Sequence, residues 1–291
     1  MLKYKHAELV CYQASPNLQK SWLLMSNKRF AFGKNWKRYI KSVGADEIEA
    51  AKSSLQVATT GIDVARSSFL DIGSGSGLFS LAACKLGFNK VVSFDYDKDS
   101  VEATTILKNS SGADDNRWQV SQGSVLDGGF MTALGEHDLV YSWGVLHHTG
   151  AMWQAIENAT ATVKPGGKLF IAIYNDQGWI SSVWKAIKLL YVSSPGFIKA
   201  LMLLFFWIYF GTGLFLADII RLRNPLARHI KDARGMKFFT DVIDWVGGYP
   251  FEVASPELIE SKLAAKGFRL TWSRLVGRRL GCNEFLFTRK D

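Results

Sequence analysis

Ser68-Phe-Leu-Asp71-Ile-Gly73-Ser-Gly75-Ser-Gly77 is the stretch on which the fold turns. A short apolar run meets an acid and then three alternate glycines, the pattern of a buried strand that breaks sharply into a helix. Residues 78–86 supply that helix, with Leu78, Leu81, Ala82 and Lys85 at helical spacing. Glycines at such a join let the main chain pass close to a ligand, with the helix N-terminus facing it.

Outward from this unit the chain alternates. Strands are predicted at 90–95, 118–122, 138–142 and 168–174, and helices at 99–109 and 151–162. That order implies a parallel sheet with helices on both faces. After Tyr174 the rhythm breaks, until Ser255-Pro256 opens a helix over 256–266 with an N-cap serine and a proline in the first turn. Strands at 269–275 and 284–288 follow. The fold class expected is α/β: a Rossmann-like, doubly wound, mostly parallel seven-stranded sheet. Residues 1–67 form an N-terminal helical cap, 68–175 the core and 176–254 a large helical insertion, with 255–291 completing the sheet.

Composition fits this reading. Apolar residues make up 48% of the 291 and charged ones 21%, which excludes general disorder. No internal repeat is present. Cys11, Cys84 and Cys282 have neither metal-ligand spacing nor a disulfide framework, so a reducing cytoplasm is expected. Residues 1–16 lack the apolar run of a signal peptide. The net charge of +9 is uneven. Between Lys185 and Lys237 nine cations meet only Asp218 and Asp232, leaving +7 in that stretch. A local basic patch asks for a local anionic partner.

A glycine loop after the first strand suits either a dinucleotide or adenosylmethionine. Asp71 separates them. A carboxylate two residues before the first glycine repels a pyrophosphate, whereas adenosylmethionine carries a sulfonium and an ammonium that it attracts. Asp95 closes the second strand twenty residues after Gly75, where an acid accepts ribose hydroxyls. Gln122-Gly-Ser124-Val125 follows the third strand and offers a small loop and an apolar side chain to an adenine ring.

Four segments in this order, DIGSGSG (71–77), VVSFDYD (91–97), DLVYSWGVLHHTG (138–150) and VKPGGKLFIAIYND (163–176), resemble the class I S-adenosylmethionine-dependent methyltransferase superfamily. They are similar to its ubiquinone-biosynthesis O-methyltransferases and to uncharacterised members from glycan and natural-product clusters. The resemblance spans 68–176. It implies that Asp71, Gly73, Ser74 and Gly75 line the methionine end of the cofactor and that Asp95 and Tyr96 meet ribose and adenine. It also sets Ser124 and Val125 beside adenine and Trp143 beneath the sulfonium. Many relatives carry aspartate at position 124, where this chain has serine. Segments ahead of the first strand often cap the pocket in such enzymes, which makes Lys34, Asn35 and Trp36 candidate contacts, unless this segment is a surface helix with one buried aromatic.

Methyl transfer needs nucleophile, carbon and sulfur nearly in line, and a hydroxyl acceptor must lose its proton. His147 and His148 follow the fourth strand at the edge where ligands bind in this architecture, so either is a candidate base or, alternatively, a loop-capping residue. Two adjacent histidines without an acidic cluster do not make a metal site, and none is expected. Asp244-Trp-Val-Gly-Gly-Tyr249-Pro-Phe-Glu252 is dense in aromatic, glycine and acidic residues. Tyr249 and Glu252 are candidate substrate contacts, unless the segment is only a rigid turn.

Residues 200–217, ALMLLFFWIYFGTGLFLA, carry no charge. As one helix they reach ~27 Å, near the lower limit for a bilayer crossing. A single crossing conflicts with strands that must return to one sheet, and Gly211-Thr-Gly213 is a candidate bend. Two readings stand: the segment dips into an anionic membrane face with the basic stretch 185–237 on headgroups, or it buries itself as a lid or homodimer face. The function expected is methyl transfer from adenosylmethionine to an oxygen, in preference to nitrogen or carbon, of a small or lipid-linked acceptor. Its rivals are an RNA methyltransferase, disfavoured because no separate RNA-binding motif accompanies the basic stretch, and a non-catalytic, membrane-associated adenosylmethionine-binding protein.

Overall fold

The computed structural model describes residues 29–220, 222 and 238–291. The cations at 221, 223, 228, 231, 234 and 237, and Cys11, lie outside these. The alternation predicted from Ser68 onward is borne out. Strands β1 (Ser68–Ile72), β2 (Lys90–Asp95), β3 (Trp118–Gln122), β4 (His137–Trp143), β5 (Val163–Tyr174), β6 (Phe268–Arg274) and β7 (Cys282–Arg289) form one sheet of order β3-β2-β1-β4-β5-β7-β6. The first five strands pair in parallel, and β7 runs antiparallel to both β5 and β6. The sheet order reverses between β1 and β4, so a crevice opens beyond their carboxyl ends.

Helices α1 (Gly33–Tyr39) and α2 (Ala45–Thr59) precede the sheet, and α3 (Leu78–Leu86), α4 (Lys98–Ser110), α5 (Gly128–Leu134) and α6 (Met152–Ala161) alternate with its strands. Two apolar layers result. On one face Leu70, Ile72, Phe94, Val140 and Ile171 pack with Ile156 of α6 and with Ile259 and Leu263 of a later helix. On the other, Phe69, Val91, Leu139 and Phe170 pack with Leu55 of α2 and Leu81 of α3. Consecutive strand residues fall in opposite layers because side chains alternate across a sheet.

Between β5 and α10 (Pro256–Ala264) lie α7 (Trp179–Ser193), α8 (Gly196–Ile220) and α9 (Phe238–Gly247). The Ser255 side chain accepts the Leu258 N–H and Pro256 occupies the first turn, the cap read from the sequence. The expected bend at Gly211-Thr-Gly213 is corrected: α8 runs unbroken through it for 25 residues. Glycine in a helix interior costs only about 1 kcal/mol each, which the packing of Phe206, Trp207 and Phe210 in the cluster with α7 and α9 offsets. Thr212 further bonds its hydroxyl back to the Ile208 carbonyl at 2.8 Å.

Candidate active site

The carboxyl ends of β1, β2, β3 and β4 open into a cavity of about 1300 Å³. Its floor is the loop after β1. Gly73, at φ +76°, sits where a Cβ would fall 2.5 Å from the methyls of Val145, and Gly75, at φ +55°, lies under the Trp36 indole. Both positions need glycine for conformation and for space.

The loop amides decide what this floor can bind. Gly73 and Ser74 donate to the Phe94 carbonyl at 2.9 and 3.0 Å, and Gly77 donates to Ser74 at 2.8 Å. The Gly75 N–H donates to Asp95 Oδ2 at 3.0 Å. Amides that would form an anion-binding nest are therefore used within the protein, and the floor presents carboxylates instead. Asp95 also accepts the Asp97 N–H at 2.9 Å. A carboxylate has about four acceptor sites, so sites remain for two hydroxyls.

Asp71 lies 3% exposed on the cavity wall and accepts the Ser80 hydroxyl at 2.5 Å. Burial pushes its carboxyl up to about 7, opposed by the Ser80 hydrogen bond. Burial likewise pushes Asp95 up to about 6, against the backbone N–H of Asp97 and Gly75. Two desolvated acids a short distance apart favour a cationic ligand that restores their charge.

An N-terminal strap closes one side. The Phe30 N–H donates to the Tyr249 carbonyl at 3.0 Å, and Arg29 Nη2 donates to the Thr149 carbonyl at 2.7 Å. Asp97 then holds two things at once: its Oδ2 accepts the Gly33 N–H at 3.0 Å, and its Oδ1 caps α4 through the Asp99 N–H at 2.9 Å. Lys37 adds ion pairs of 2.7 Å to Asp99 and to Glu102. These contacts dock α1 so that Trp36 covers Gly75. Asn35 is buried beside it and donates to Asp244 Oδ1 at 2.7 Å.

Asp71, Gly73, Ser74, Gly75, Asp95, Tyr96, Ser124, Val125, Trp143, Trp36, His148 and Tyr249 all line this one cavity. The Val125 carbonyl is anchored by Asn158 Nδ2 at 2.7 Å, and the Trp143 indole donates to Glu284 Oε1 at 2.8 Å. Three expectations are corrected. Lys34 sits on the outer face of α1 in a separate shallow depression, because α1 turns Trp36 rather than Lys34 inward. Glu252 caps α6, with both carboxylate oxygens accepting the Met152 N–H at 3.1 and 3.3 Å, so its charge serves a helix terminus and not a substrate. His147 is fully buried and is not a wall residue. It lies behind the Tyr174 ring, 4.0 Å between centroids, and its Nδ1 accepts the Tyr174 N–H at 3.3 Å.

His148 is the histidine at the cavity. Burial, with the Lys188 charge beside it, pushes its ring down to about 3, so the imidazole is neutral. Lys188 itself is buried from solvent among Tyr174, Trp245 and Phe251, with its Nζ 4.6 Å from the Trp245 ring and in contact with the Trp245 carbonyl. Burial pushes its ammonium down to about 7, opposed by Cys282 and Asp244. The sequence reading passed over Asp97, Tyr174 and Lys188. Asp97 carried a signal: an acid four residues before a Val-x-x-Thr helical run is an N-cap pattern.

The site is thus a glycine floor in a doubly wound sheet, with acids at the ends of its first two strands. Residues 70–169, about a third of the chain, match the Methyltransferase domain family. Among solved structures, the chain is similar to magnesium protoporphyrin IX methyltransferase from Synechocystis PCC 6803 with bound SAH (14% identity, 88% of this chain and 94% of that one, TM-score 0.52). It is also similar to an O-methyltransferase family protein from Burkholderia thailandensis (14% identity, 84% of this chain, 57% of that one, TM-score 0.51). At such identities the likeness is one of fold. Among curated proteins, a ribosomal protein L11 methyltransferase from Exiguobacterium sp. is 35% identical over 99 residues, and one from Alteromonas mediterranea is 42% identical over 55 residues. These matches cover 34% and 19% of this chain, and 29% and 19% of those proteins.

Proposed function

We propose that the chain is an enzyme that binds adenosylmethionine and methylates an oxygen of a small or lipid-linked acceptor. One observation carries the cofactor: the amides of Gly73, Ser74, Gly75 and Gly77 are spent inside the protein while Asp71 and Asp95 face the cavity. That surface repels a pyrophosphate and suits a ligand with an ammonium, a sulfonium and a ribose diol. Asp71 and the backbone at Gly73 would hold the methionine end, Asp95 the ribose, and Ser124 and Val125 the adenine edge. When bound, adenosylmethionine supplies a methyl already activated by its sulfonium.

The chain's own residues then orient the acceptor and shed water. Trp36, Trp143 and Tyr249 wall the site with ring surface, and His148 Nε2 accepts the hydrogen bond of an incoming hydroxyl. As the acceptor oxygen gives its lone pair to carbon, its proton passes to that nitrogen. Burial keeps His148 neutral but also makes it a weak base, so it takes the proton only as the sulfonium charge is discharged in the transfer.

Titration calorimetry with adenosylhomocysteine and with NAD tests the reading. Binding of the first and not the second is expected, and Asp95→Ala should weaken it by ~1–3 kcal/mol through lost charge-assisted bonds. Capture of NAD with indifference to adenosylhomocysteine would sink the proposal.

A further inference from the structure

Helix α8 has two unlike sides. Phe206, Phe210, Leu203 and Trp207 turn inward onto α7 and α9, and Phe210 and Leu214 continue into the cavity wall. The opposite side carries Phe197, Leu201, Leu204, Ile208, Phe215 and Ile219, spaced by three, four and seven residues and therefore on one face. Leu201 is 62% exposed and Ile208 57%. Only 6% of the most apolar window of this helix is buried. The face continues onto α7, where Trp179 (75% exposed), Val183 and Leu190 share a side. Contiguous apolar surface on this scale marks an interaction site.

Charge says what covers it. Lys185 is exposed on α7, and residues 221–237, read from sequence alone, follow directly on α8 with six cations against one acid. An apolar face bordered by cations is complementary to an anionic bilayer. The helix does not cross that bilayer. Its inward side packs on α7 and α9, and both of its flanks return to one sheet. The following segment 221–237 is too charged for a return crossing.

We propose that α8, with α7, lies in the surface of an anionic phospholipid bilayer, and that the acceptor is an amphiphile with an apolar chain drawn from that bilayer. The acceptor class follows from the double role of α8: the helix that meets lipid also supplies Phe210 and Leu214 to the cavity, next to Val242, Trp245 and Leu280. An apolar chain leaving the membrane would pass along one helix into a wall of the same chemistry. The acceptor half of this inference rests on the methyl-transfer reading; the docking half stands on α8 alone.

The test is co-sedimentation of the full chain with vesicles of phosphatidylcholine plus one-quarter phosphatidylglycerol, and with phosphatidylcholine alone. Sedimentation with the anionic vesicles is expected, with at least a tenfold loss in the Leu204→Glu/Ile208→Glu/Phe215→Glu variant. Adenosylhomocysteine affinity, unchanged within about twofold, shows that this variant is folded. If it does not fold, Leu204→Gln/Ile208→Gln takes its place. Wild-type protein left in the supernatant, or a variant that sediments as well as wild type, overturns the docking. So does a dimer in vesicle-free buffer that the variant dissociates while vesicles are ignored, because a second copy then covers the face. For the acceptor class, p-alkylphenols are titrated into the adenosylhomocysteine complex. Affinity should rise up to about fourfold per added methylene; no dependence on chain length overturns it. Loss of vesicle binding with cofactor binding intact refutes this inference alone, whereas vesicle binding without cofactor binding refutes the methyl-transfer reading.

Discussion

His148 donates from Nδ1 to the Pro250 carbonyl at 2.7 Å. A carbonyl only accepts, so this bond fixes the tautomer and leaves the Nε2 lone pair as the ring's remaining polar function. Two neighbouring histidines thereby part company: one presents a nitrogen at the cavity and the other is sealed behind Tyr174.

Substitution should expose that division. His148→Gln is expected to lower kcat by roughly 10²-fold, at the modest end for a proton acceptor. With its ring held near 3, His148 contributes no inflection between pH 5.5 and 8. A wild-type pH-rate inflection near 6.5 that vanishes in His148→Gln would contradict this. His147→Ala should instead lower Tm, since the ring fills buried space beside Tyr174.

Asp71 links binding to pH. Its folded value near 7 lies above the ordinary 3.8, so the free protein holds a proton there that the unfolded chain has lost. The stability this group contributes is present below 3.8 and is lost as pH rises through 7. Asp95, near 6, acts in the same direction. A cationic ligand prefers both ionised, so adenosylmethionine affinity should fall by up to about tenfold per pH unit for each proton taken up below these values. The thermal shift caused by ligand should accordingly grow from pH 5.5 to 8. Differential scanning fluorimetry across that range, with Asp71→Asn as the flattened control, decides it; an equal slope in both proteins would remove Asp71 from the site.

Asp97 joins the cap to the core. Asp97→Ala removes the α4 cap and the anchor of Gly33 together, and should cost ~1–2 kcal/mol of stability by chemical denaturation. Trp36 then loses its fixed place over Gly75, so adenosylhomocysteine affinity should fall as well. Lost stability with unaltered affinity would mean that α1 plays no part in holding ligand.

Much of this was legible from residues alone because it depends on local pattern. Strand β1, its glycine turn and Asp95 announce themselves through alternation, backbone freedom and spacing, and the structure places them where their order implied. Glu252 and Lys34 were misread because their fate rests on long-range geometry. Glu252 meets the Met152 amide a hundred residues away, and Lys34 shares a short helix whose inward face Trp36 takes. The glycine pair in α8 failed for a different reason: propensity marks where a bend is cheap, not where packing demands one.

The reversed strand β7 has its own consequence. Because it runs against β5, the hairpin between β6 and β7 turns back at the same rim as the loops that follow β1, β2 and β4, bringing Leu275, Arg279 and Leu280 to the chamber. That rim segment is anchored to the loop after β5, where the Asn175 side chain donates to the Gly277 carbonyl at 2.6 Å and the Gln177 side chain to the Arg278 carbonyl at 2.8 Å. A change of length or charge in this hairpin would therefore be felt first by whatever enters the chamber beside Leu275, Arg279 and Leu280.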